Sequence, residues 1–156
     1  RTRTRTRTVT VLMELDPAHP SHSNHVIPTH GKKARRVWYP EAPLFESTVQ
    51  NLLLDWNRDI EEQCGFIDSE QEIWYINNLH DKPRANFLMD STQTVNTLEY
   101  IYEKLNRTVL GIFHTHPNNV TWPSPRDIVG WPNPHLKWRY FIVTNRDVLE
   151  WELVDD

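Results

Sequence analysis

His114 and His116 stand two residues apart, directly after the β-branched and apolar run 108–113. At the end of a strand, side chains two apart project from the same face, so this pair sets two imidazoles side by side. Two imidazoles and one carboxylate, with a fourth position left to water, make a donor set suited to a catalytic zinc ion. Asp127 is the nearest candidate for the carboxylate. It belongs to Ser124-Pro125-Arg126-Asp127, which has the grammar of a helix start: Ser at the N-cap, Pro at the first helical position, and a carboxylate three residues after the cap. Each of these residues also has a plainer explanation. A histidine pair can be a partly buried polar edge, and Ser124 with Asp127 can be a capping box and nothing more.

These residues need elements to hold them. Phe45, Val49, Leu52, Trp56 and Ile60 recur at helical spacing, which predicts an amphipathic helix running to about Gln63, with Gly65 ending it. Residues 64–67 and 73–76 are short apolar or β-branched runs around a polar stretch, the pattern of a hairpin. Residues 85–89 read as a further strand. Asp90 or Ser91 then caps a second helix with the stripe Val95, Leu98, Tyr102 and Leu105. The run 108–113 is a strand that Pro117 prevents from continuing. The helix from Ser124 is broken by residues 131–134, and two strands, 140–144 and 148–153, close the chain around Asn145-Arg146-Asp147. Strands on both sides of helices predict an α/β fold, a mixed sheet flanked by helices.

Composition bounds the function. The 156 residues, 38% of them hydrophobic, suit one domain and a tail. No apolar run approaches the roughly 20 residues that span a bilayer, and no signal-peptide pattern follows the Arg/Thr-rich start, so a soluble, unexported protein with no membrane partner is expected. Cys64 is the sole cysteine, which excludes an internal disulfide and any multi-cysteine metal site. The net charge of -4 is uneven: residues 1–37 carry eight basic and two acidic residues, and residues 38–156 nine basic and nineteen acidic. The first 37 residues hold no aromatic residue. A basic, disordered tail over residues 1–37 and a domain over 38–156 are therefore expected. Arg1 to Thr8 is an Arg-Thr repeat, and Met13 is the first methionine, which suggests a fragment or a start placed upstream of the true one. His19, His22, His25 and His30, and the cluster Lys32, Lys33, Arg35 and Arg36, read as parts of a solvated linker. Nothing beside the basic cluster reads or stacks on bases, so a nucleic-acid partner is not expected.

The string His114-Thr115-His116-Pro117, seven residues from Pro117 to Pro123, then Ser124, two residues and Asp127 resembles H-x-H-x7-S-x2-D, the signature of the JAMM (MPN+, JAB-domain) metallopeptidases. Upstream, Glu62-Gln63-Cys64-Gly65 looks like that family's E-x-C-G. The resemblance spans about residues 38–154. It implies a JAB/MPN-type mixed sheet flanked by helices, an architecture related to cytidine deaminases. No long insertion precedes His114, and only a short loop follows the Asp127 helix, so the chain is more similar to compact bacterial and phage-type members than to ubiquitin-cleaving eukaryotic ones. A deaminase would need paired cysteines, and a single cysteine excludes it.

Carried onto this chain, the resemblance implies one zinc ion held by His114, His116 and Asp127. It makes Glu62 the general base, and it makes Ser124 a hydrogen-bond donor to the oxyanion. Glu61 then reads as a surface charge and Cys64 as a small buried residue behind Glu62. Trp122 and Trp131 are expected to wall the substrate groove, with Trp38, Trp56, Trp74 and Trp151 in or at the edge of the core. The implied activity is hydrolysis of a peptide or isopeptide bond in a protein or peptide substrate, such as a ubiquitin-like tail, in the cytoplasm or in a phage particle. The alternatives are a non-catalytic MPN scaffold and a phage-tail assembly module.

Overall fold

The computed structural model describes residues 5–6, 26–29, 32–56, 61–131 and 136–155. Along the chain the elements are β1 (Arg5–Thr6), β2 (Val26–Thr29), β3 (Lys32–Val37), α1 (Glu46–Trp56), β4 (Cys64–Asp68), β5 (Ile73–Ile76), α2 (Ser91–Glu99), β6 (Val109–Thr115), α3 (Pro125–Val129), β7 (Arg139–Val143) and β8 (Val148–Asp155). The strands make one mixed sheet in the order β1-β5-β4-β6-β7-β8-β3-β2. The β6–β7 and β1–β5 pairs are parallel, and the others antiparallel.

Alternation along the strands sends successive side chains to opposite faces. On one face Ile67, Ile73, Tyr75, Phe113, Phe141 and Val143 pack with Leu52 of α1. On the other, Cys64, Phe66, Trp74, Ile112, Ile142 and Trp151 pack with Ile101 and with Ile128 of α3. His114 pairs with Cys64 and shares that second face, between the sheet and α3. The predicted hairpin 64–67/73–76 is present. Asp68 closes it by accepting the N–H groups of Glu70 and Glu72, the indole N–H of Trp74 and the guanidinium of Arg107.

Five expectations are corrected. The first helix stops at Trp56 among the described residues, and Glu61, Glu62 and Gln63 lead non-helically into β4; Ile60 lies outside the described residues. Residues 85–89 are not a strand. They make one isolated bridge, Asn78 to Met89, because the Leu88 N–H goes to a side chain, Asn78 Oδ1, and Phe87 turns into the core. α2 is capped by Asp90 as expected, but its continuation, residues 100–104, is a π-helical turn. The wider turn carries Ile101 into the core and leaves Tyr102 partly outside; Val95, earlier in α2, is exposed as well.

The fourth concerns part of the segment expected to be disordered. Lys32–Val37, expected in the tail, is a strand paired along its whole length with β8. Lack of aromatic residues did not prevent this, because backbone pairing and the fully buried Ala34 hold the strand. Two of its basic residues find partners: Arg35 pairs with Glu152 at 3.0 Å, and Arg36 lies over the Trp38 ring. Likewise Arg5 and Thr6 of the repeat form a parallel pair with Tyr75 and Ile76. His19, His22, His25, His30 and Met13 lie outside the described residues. The fifth concerns the tryptophans. Trp131 is buried in the core and Trp122 packs against it, whereas Trp38 is more than a third exposed.

Candidate metal centre

β6 ends at Thr115, and Pro117 follows His116, so the strand delivers both histidines at its C-terminal end. The pairing of β6 with β4 and β7 fixes their backbone: Thr115 N–H donates to Gln63 O at 2.8 Å, and His116 N–H to Val143 O at 2.9 Å. Thr115, between the two, accepts the Gln63 N–H on its hydroxyl, and its side chain is buried. The two imidazoles face each other with their Nε2 atoms 2.9 Å apart. His114 stacks on Phe87, ring centroids 4.7 Å apart. His116 donates from Nδ1 to Val120 O at 2.7 Å, which leaves its Nε2 lone pair for the centre. From the other side of the sheet, Trp56 of α1 donates its indole N–H to His116 O.

Asp127 comes from α3. The capping box expected from the sequence is present: Ser124 Oγ accepts the Asp127 N–H at 3.3 Å, and Asp127 Oδ2 accepts the Ser124 N–H at 2.9 Å. The same Oδ2 lies 3.3 Å from His114 Nε2 and 3.6 Å from His116 Nε2. These three atoms thus form a triangle with edges of 2.9, 3.3 and 3.6 Å. A tetrahedral zinc ion with bonds near 2.0–2.1 Å requires donor-to-donor edges of about 3.3 Å. The donor set fits that ion in both geometry and chemistry.

Glu62, two residues before β4, is buried beside the histidines; ligand atoms of Glu62, His114 and His116 lie within 4.8 Å of one another. Its Oε1 is buried and has no hydrogen-bond partner among the described residues. Burial, and secondarily the charge of Asp127, hold this carboxyl well above the usual carboxylate range. Burial pulls His114 down to about 3 and lowers His116 as well, so both imidazoles are neutral and able to donate lone pairs. Cys64, two residues after Glu62, is buried, its Sγ 3.5 Å from Ile76 O.

The structure brings together all five residues singled out in the sequence, from three separate segments of the chain. It adds others that sequence reasoning missed: Trp56, Thr115, Phe87, and the loop between β5 and α2, whose Asn78 and Pro83 bond the Glu62 backbone. Asparagines at 77, 78 and 86 were the available signal, since such residues knit loops through side-chain bonds to backbone.

The family model for prokaryotic homologs of the JAB domain matches residues 45–154. No curated protein matches the chain. Among solved structures, the solution structure of a protein from Desulfitobacterium hafniense is 23% identical with a TM-score of 0.47, covering 69% of this chain and 79% of that one. The family match takes in α1, the β4–β5 hairpin, the histidine pair, α3 and most of β8, and the chain belongs to the prokaryotic homologs of the JAB domain.

Proposed function

We propose that the protein is a zinc-dependent peptidase or isopeptidase acting on an extended segment of a protein or peptide substrate. The observation that carries this reading is the triangle of His114, His116 and Asp127 donor atoms beside a buried carboxyl, Glu62, whose proton affinity is raised. In this reading the two histidines and Asp127 hold the metal. Zinc, when bound, supplies Lewis acidity that brings the pKa of water toward 7 and polarises a carbonyl. Glu62 is left uncoordinated as the base. Its raised proton affinity suits it to take a proton from the attacking water and return it to the leaving amine. Ser124 Oγ accepts the Asp127 N–H and keeps its own proton to donate to the oxyanion, so one hydroxyl serves both cap and chemistry.

The test is metal content and peptide hydrolysis on the purified chain. One zinc per chain, lost in His114→Ala, and hydrolysis of a peptide library that is lost in a zinc-retaining Glu62→Gln variant, are the expected results. Absence of stoichiometric zinc overturns the site. Zinc binding with no cleavage of any library member points instead to a non-catalytic scaffold.

A further inference from the structure

The geometry points to Asn78 as the positioning residue for Glu62, acting as the latch of the loop that joins β5 to α2, residues 77–90. The inference rests on the reading of Glu62 as the base. A carboxamide has two N–H donors and two acceptor lone pairs. Asn78 uses all four: Nδ2 donates to Glu62 O at 3.0 Å and to Asn86 O at 2.9 Å, and Oδ1 accepts the N–H groups of His80 at 3.0 Å and Leu88 at 2.9 Å. The other backbone group of Glu62, its N–H, donates to Pro83 O at 2.8 Å, in the same loop. Glu62 precedes β4, so the sheet ladder does not hold it; this loop holds both its amide and its carbonyl.

The anchoring matters because Glu62 Oε1 has no hydrogen-bond partner among the described residues. A buried carboxyl without a bond to that oxygen takes its aim from the backbone that carries it. The loop also reaches two other parts of the site. Phe87 stacks on His114, and Asn86 accepts a hydrogen bond from Arg126 of α3, the residue before Asp127. Phe87 seats the far end of the loop in the core, but Leu79 and Leu88 are each more than half exposed. The stretch around Asn78 is therefore held by its polar bonds, and through them the height of Glu62 above the histidine pair is set.

Asn78→Asp and Asn78→Ala separate this role from simple loop knitting. Asp keeps the acceptors for His80 and Leu88 but loses both donors. Hydrogen exchange on the full chain should show the Glu62 amide losing protection by about tenfold in both variants, while the Leu88 amide stays protected in Asn78→Asp and is released in Asn78→Ala. The Thr115 amide, in the ladder, should remain within about twofold of the parent chain. On zinc-loaded protein, kcat should fall by about tenfold or more in Asn78→Asp with KM unchanged. An unchanged Glu62 amide in Asn78→Asp, or a uniform rise in exchange across β4 and β6, overturns the proposal. Full hydrolysis by Glu62→Gln would instead remove the reading of Glu62 as base, and the exchange result would still decide whether Asn78 holds it.

Discussion

Cys64 stands directly across from His114 in the antiparallel pairing of β4 with β6. That register sets Glu62, two residues before the cysteine, opposite His116, two residues after the first histidine, and the bond from Thr115 N–H to Gln63 O lies between them. The site is therefore a consequence of strand register: a slip of one residue would turn Glu62 away from the histidines.

Gly65 guards that register. A Cβ there would run into the carbonyl oxygen of Trp74 on β5 and would lie 3.0 Å from the Phe113 ring. Backbone cannot yield as a flexible side chain can. Gly65→Ala is expected to destabilise the fold by about 3 kcal/mol and to lose metal affinity with it. Chemical denaturation with a parallel zinc titration checks this; wild-type stability in the variant would show that the β4–β5 spacing is not tight.

Cys64 has a packing role. Cys64→Ala should cost about 1 kcal/mol through lost buried volume, and should leave one zinc per chain and unchanged hydrolysis. Loss of activity with retained zinc would instead mark the thiol as a reacting group.

Ser124 can be divided between its two roles. Ser124→Gly should cost only a few tenths of a kcal/mol, because Gly is tolerated at an N-cap, whereas Ser124→Ala should cost about 1 kcal/mol. Both lose the hydroxyl, so hydrolysis should fall by about 10²–10³ in each. Thermal midpoints and kcat, measured together, decide the matter: activity that tracks stability in the two variants would leave Ser124 as a cap alone.

The metal-free protein should be acid-sensitive. His114, pulled down to about 3 from 6.5, is neutral in the fold, and His116 is lowered too. Between those values the unfolded chain binds more protons than the folded one, so this stability is whole above pH 6.5 and is lost as pH falls toward 3. Glu62, raised above 4.5, acts in the opposite sense: its contribution is present below about pH 4.5 and declines as pH rises. The histidines and Glu62 oppose each other between pH 7 and 5, and the part carried by His114 lowers stability as pH falls over that range. His114→Phe, which can still stack on Phe87, should reduce the slope by up to about 1.4 kcal/mol per pH unit. An unchanged slope would place the sensitivity elsewhere.

The placement of the histidine pair and of Asp127 was legible in their spacing. Strand period puts His114 and His116 on one face, and the capping grammar of Ser124-Pro125-Arg126-Asp127 places Asp127 in the first turn of α3. The hairpin of β4 and β5 was legible for the same reason, a local period broken by a polar turn. Residues 85–89 misled because their apolar pattern matches a strand, while the partners that decide the matter, Asn78 Oδ1 and the His114 ring, lie outside that run. Lys32–Val37 misled because its stability comes from β8, over a hundred residues later, and no local pattern reports a partner at that distance.

The sequence by itself determined which groups could meet a metal and which elements would carry them, since residue type and local period are properties of neighbours along the chain. Only the tertiary structure decided that Glu62 faces His116, that a loop holds both backbone groups of Glu62, and that a basic segment expected in the tail is a strand of the sheet. Those relations depend on strand order, register and burial, which arise when distant segments pack, and no spacing along the chain encodes them.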